Sequence, residues 1–147
     1  MSCSTSALDK RAAEVSPSSA PAQRAVTVML GCERCVGTTR HFTAAVLARW
    51  GVIGEEPDAA VLIVSELATN AVQHGRSDLT VALTLAGDTL RIDVTDHGEP
   101  VPRPAPLAAA ADEHGRGLDI VSCLADWTEI CQGDWGRRVS ATVGIAD

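Results

Sequence analysis

The sequence predicts an α+β domain in two layers, with helices packed on one face of a mixed, mostly antiparallel sheet. Three observations predict it. Segments of strand-like and helix-like period follow one another as strand, helix, helix, two strands, a mobile connection, helix, two strands. Leu90, Ile92 and Val94 alternate with Arg91, Asp93 and Thr95, so that strand has one buried and one polar face. Each pair of successive strands is joined by a short Gly-containing turn, which closes antiparallel hairpins.

Taken in order, residues 1–23 are rich in Ser, Ala and Pro without apolar period and read as a disordered tail, leaving a folded domain over 24–147. Ala25–Leu30 is a short β-like run. After a loop containing Gly31 and Gly37, Thr38–Trp50 carries apolar residues at Phe42, Ala45, Val46 and Trp50, as an amphipathic helix does. Pro57 opens a second helix in the first-turn position it favours, and Gly75 closes it after His74. On that helix Val61, Val64, Leu67, Ala68, Ala71 and Val72 form one apolar arc. Strands are expected at Leu79–Leu85 and Leu90–Thr95, with Ala86, Gly87 and Asp88 between them. A Pro- and Ala-rich connection leads to a helix over Leu118–Ala125, and two final strands cover Trp127–Cys131 and Arg138–Ile145.

The length of 147 residues suits one compact domain, and the apolar fraction of 46% is enough for a core. With one Phe, three Trp and no Tyr, that core must be mostly aliphatic. The formal charge of −7 and the lack of a Lys/Arg cluster speak against direct nucleic-acid or anionic-membrane partners, because phosphate neutralisation supplies most of such affinity. No apolar run is long enough to span a bilayer and the N-terminus lacks a secretory core, so a cytoplasmic protein is expected. Of the five cysteines, Cys32 and Cys35 form a CxxC, with His41 nearby. A zinc site needs four ligands, no second CxxC follows, and reduced, structural thiols are the expectation.

Three segments could carry chemistry. Glu66 and Asn70 stack four apart on the second helix, with His74 one turn further on. They could form an ordinary solvated face, yet Asn is a poor mid-helix residue and its presence asks for a reason. Asp96 ends a half-buried strand with Gly98 two residues on. A carboxylate there can accept from an exocyclic amine while the glycine lets a flat ring approach, although Asp-x-Gly is also a common turn. Gly115, Arg116, Gly117 and Leu118 open a helix, where backbone N–H groups and the helix dipole favour phosphate. The run is neither a Walker A loop nor a Rossmann fingerprint.

In this order the segments resemble the N, G1 and G2 boxes of the GHKL (Bergerat-fold) ATPases: SELATNAVQHG at 65–75, DHG at 96–98 and GRGL at 115–118. The chain looks like the small anti-sigma-factor serine/threonine kinases, since it has no phosphoacceptor helix, a short connection between the last two boxes, and Arg40 in the helix before the first. The resemblance implies ATP and Mg²⁺ as cofactors. It makes Glu66 the general base, Asn70 the Mg²⁺ ligand, and Asp96 and Gly98 the adenine contacts. His74, Gly115, Arg116, Gly117 and Leu118 would line the nucleotide under a lid over 99–114. Arg40 would serve the partners, a sigma factor and a STAS-type anti-sigma antagonist, and a homodimer is compatible with that group. One departure stands out: many GHKL proteins carry a Thr after a Gly in the final strands, where this chain has Gly136, Arg137, Arg138 and Val139, and Thr142 is the substitute at hand. Four prolines also stiffen the lid (Pro100, Pro102, Pro104, Pro106). The alternative function is a nucleotide-dependent protein-binding module without kinase activity and with partners other than sigma factors.

Overall fold

A computed structural model describes residues 2–5, 22–30, 33–74, 78–97 and 119–145. Strand β1 (Ser2–Thr5) is followed by β2 (Gln23–Leu30), helices α1 (Glu33–Arg49) and α2 (Glu56–His74), the hairpin β3 (Asp78–Ala86) and β4 (Thr89–Asp96), and the hairpin β5 (Trp127–Gly133) and β6 (Gly136–Gly144). Residues 119–124 are helical and lead into β5. The six strands form one sheet in the order β1-β5-β6-β4-β3-β2. Every adjacent pair is antiparallel, so the expected mixed sheet resolves into a fully antiparallel one among the described strands. β4 and β5 run in the same direction, but β6 is inserted between them, and no parallel ladder forms.

The core lies between α2 and the sheet. Ala60, Ile63, Val64, Leu67, Ala68 and Ala71 bury one side of α2 against Leu79, Val81 and Leu83 of β3, Leu90, Ile92 and Val94 of β4, and Val139, Ala141 and Val143 of β6. The buried arc is rotated slightly from the expected one: Val61 and Val72 are only half-buried, and Ala60 and Ile63 replace them. Small residues on the inner side of α2 let the helix approach the sheet closely.

Helix α1 begins at Glu33, earlier than the expected Thr38, with Gly37 inside it. An interior glycine costs a helix about 1 kcal/mol, which tertiary packing readily overrides. Here Cys35 is buried with its thiol on the Leu30 carbonyl, and Leu47 is sealed in the core. Two buried threonines on α1 satisfy their hydroxyls within the helix, Thr39 donating to the Val36 carbonyl at 2.6 Å and Thr43 to the Thr39 carbonyl at 2.8 Å. Gly87, at φ 61°, makes the tight β3–β4 turn, as the sequence suggests.

The far face of the sheet is partly polar. Arg91 donates to Asp93 at 3.1 Å, the Ser140 hydroxyl donates to Asp93 at 2.5 Å, and the Arg91 guanidinium lies 5.7 Å from the centre of the Trp127 ring. Val26, Val28 and Leu30 on edge strand β2 are exposed. No helix among the described residues is long and apolar enough to cross a membrane.

Two expectations change at the N-terminal end. Within the segment read as a tail, Ser2–Thr5 pairs with β5, an edge strand whose outer backbone groups accept a partner; residues 6–21 lie outside the described residues. The expectation of reduced thiols holds for Cys35 and Cys123 and fails at Cys131, which is disulfide-bonded where β5 meets β1.

Ile92 is fully buried at the centre of the core. Ile92→Ala is expected to destabilise the domain by about 2–5 kcal/mol in urea unfolding, whereas a loss below about 1 kcal/mol would contradict this placement of the core.

Candidate functional site

Helical geometry separates Glu66 and Asn70 by only about 40° around α2. Both sit on the flank of the buried arc, where the helix leaves the sheet. Asn70 is buried, 7% exposed, and Glu66 is half-buried. Asp96 is the last residue of β4 and shares a face with Leu90, Ile92 and Val94, so its carboxyl is directed to the α2 side and is likewise 7% exposed. On β6, Arg137 shares that same face with Val139, Ala141 and Val143 and stands directly opposite Asp96 in register.

These elements converge. Asn70, Asp96 and Arg137 line one shallow recess, open to solvent, together with Leu67, Ala71, Val94 and Val139. Asn70, Asp96 and Arg137 each have an interaction partner, although the buried Arg137 Nε makes no hydrogen bond. The recess has aliphatic walls suited to a flat ring, a carboxylate that accepts from an amine, and an amide and a guanidinium at its edge.

Close approach of the strands shapes its rim. Gly136 has φ 132°, and a methyl group there would overlap the Asp96 carbonyl oxygen and press on His97 Cα. Beyond Asp96, the His97 backbone N–H donates to the Asp78 carbonyl at 3.1 Å, and its Nε2 shares a 2.8 Å hydrogen bond with the Thr80 hydroxyl. The chain leaving β4 is thus fastened to β3.

Arg40 is exposed on α1 and donates to the Ser65 hydroxyl at 3.5 Å, which brings its guanidinium beside the turn of α2 that carries Glu66. Thr142 is a correction. It belongs to the opposite face of β6, with Arg138 and Ser140, and it pairs with Arg91 and Trp127 rather than with the end of β4. Period-2 alternation puts it out of reach of the recess. His74 ends α2 with its side chain outside the described residues, as are Gly98, Gly115, Arg116, Gly117, Leu118 and the expected lid over 99–114. Among the described residues, no three His, Cys, Asp or Glu side chains converge on a metal position.

Gly136 and Arg137 stand where the sequence places the family's Gly-Thr pair, yet neither was assigned to the site. The final strand was expected from Arg138, and a start at Gly136 places Arg137 two residues before Val139 on the inner face. That period was visible in the sequence; the strand boundary was not.

The pattern of the histidine kinase-like ATPase domain matches residues 32–143, most of the chain and all of the recess. The chain belongs to that family. Among solved structures, the ATPase domain is similar to the RsbU and RsbW domains of Rv1364c from Mycobacterium tuberculosis, with a TM-score of 0.66 and 23% identity. The match covers 87% of this chain and 34% of that one, so the chain spans about a third of its structural neighbour. No curated relative matches.

Family membership carries ATP binding. A buried carboxylate faces a gap that aliphatic side chains flank, and only a glycine lets β6 close against it. Asp96→Asn is expected to weaken ATP binding about 10- to 100-fold in calorimetric titration while the circular dichroism spectrum is unchanged. Unaltered affinity would remove Asp96 from the base contact. Gly136→Ala is expected to cost about 1–3 kcal/mol through the positive φ and the overlap with Asp96, and wild-type stability in thermal unfolding would contradict that close approach.

Proposed function

We propose that this domain is a nucleotide-dependent regulatory switch of the anti-sigma type, a serine/threonine protein kinase that phosphorylates an antagonist protein with Mg-ATP. The observation that carries the proposal is that Asn70 and Glu66 share one flank of α2, with Arg40 of α1 held beside them. Asn70 lines the recess with Asp96, Glu66 lies one turn earlier on the same flank, and Arg40 reaches the intervening surface through Ser65. A base contact, an amide oxygen, a carboxylate and a cation therefore follow one another along a single edge of the domain.

Their chemistry suits phosphoryl transfer, which depends on positioning and charge neutralisation more than on covalent help. Asp96 accepts from the adenine amine. The Asn70 amide oxygen is a hard ligand of the kind Mg²⁺ takes, and the metal, when bound, offsets phosphate charge. Glu66 accepts the proton of an incoming seryl hydroxyl. Arg40 meets the partner that presents that hydroxyl, and its fork of donors suits a carboxylate or a phosphate. Sigma factor and a STAS-type antagonist are the partners this reading assigns, with a cytoplasmic location.

The likeness to a structure that contains an RsbW domain supports the fold on which this reading stands. Nucleotide-dependent capture from native extract is expected to recover a sigma factor or a small antagonist, with recovery differing between ATP and ADP. Glu66→Ala is expected to keep ATP affinity within about 3-fold and to lower antagonist phosphorylation about 10²- to 10⁴-fold, measured with γ-labelled ATP. Tight ATP binding with no phosphorylated partner in the wild type would favour a binding module without kinase activity.

A further inference from the structure

Cys131 is buried on β5, 1% exposed, and disulfide-bonded, while Cys35 and Cys123 carry free thiols. The antiparallel register of β1 and β5 sets Ser2 against Gln132, Cys3 against Cys131, Ser4 against Ile130 and Thr5 against Glu129. Directly opposite residues in an antiparallel pair have Cα atoms about 4.5–5.5 Å apart, within the roughly 4.4–6.8 Å that a disulfide spans. A slip of one residue in either direction would remove this match, since Ser2 and Ser4 flank Cys3.

We propose that Cys3 and Cys131 form a reversible cross-strand disulfide, a redox clasp that holds the N-terminal strand on the sheet edge. β1 and β2 occupy opposite edges of the sheet, so the clasp fastens the chain terminus at the side remote from the strand that follows it. A four-residue edge strand makes too few backbone hydrogen bonds to be held strongly alone. The bond closes a loop from residue 3 to residue 131, which is most of the chain, and long loops gain most from closure. When the bond is reduced, β1 is released and the outer N–H and C=O groups of β5 become an open edge.

The groups around Cys131 bear on its reduced form. The Arg138 Nη2 and the Glu129 Oε1 each lie 3.6 Å from its sulfur. Arg138 is also stacked 5.9 Å from the centre of the Trp135 ring. Formation requires an oxidant, and a low-molecular-weight disulfide serves. One protein thiolate attacks the external disulfide and expels a thiolate. The second protein thiolate attacks the mixed disulfide and expels the other. Two protein thiols become one disulfide, and the external disulfide becomes two thiols that take up the two protons.

The test uses the full chain, purified without reductant and digested with free thiols blocked. Mass spectrometry is expected to find a peptide joining Cys3 to Cys131 that disappears with excess dithiothreitol. Linkage of Cys131 to Cys32 or to a second copy, or a free Cys131 thiol, would overturn the pairing. Hydrogen exchange of the β5 amides that face β1 is expected to rise about 10-fold or more on reduction. Cys3→Ser, which leaves the buried Cys131 position intact, is expected to give the same rise without reductant, and Cys123→Ser no rise. Protection of β5 that is indifferent to both reduction and Cys3→Ser would overturn the clasp.

Discussion

The packing of α2 across β4 and β6 is the constraint on which the rest of the structure depends. Ile63, Val64, Leu67 and Ala71 must bury one side of the helix, and doing so fixes its rotation. Once the rotation is fixed, Asn70 can only stand at the margin of the contact, facing the ends of β4 and β6. The sheet answers with period 2: burying Leu90, Ile92 and Val94 forces Asp96 to the same side, and burying Val139 and Ala141 forces Arg137 there. The polar recess is thus a by-product of apolar packing. Its residues need no flexible loop to bring them together, because helices and strands hold them more precisely than loops do.

Much of this was legible in the sequence because it follows from periodicity. The helix carrying Glu66 and Asn70, the strand ending at Asp96 and the hairpin at Gly87 all come out close to where the patterns put them. What was not legible came from tertiary contact. Gly37 reads as a break, yet packing of Cys35 and Leu47 keeps it inside α1. Ser2–Thr5 reads as tail because a four-residue strand has no period to show, and only the unpaired edge of β5 gives it a place.

The same limit explains the error at Thr142. A threonine in the final strands was a reasonable substitute on chemistry alone, but face assignment depends on the start of the strand. With β6 beginning at Gly136, the odd-numbered residues from Arg137 to Val143 face α2, and Thr142 joins Ser140 on the far face. Arg137 then takes the place beside Asp96. The recess therefore sets a carboxylate beside a guanidinium, an acceptor next to a donor.

We propose that the adenine ring of bound ATP lies between α2 and the ends of β4 and β6. Nuclear Overhauser contacts from the adenine H2 and H8 protons of bound ATP to methyl groups of the domain test it most directly. Contacts are expected to Leu67, Ala71, Val94 and Val139, which line the recess. Contacts confined to methyls on the far face of the sheet, such as Val26 or Val28 on β2, would contradict it.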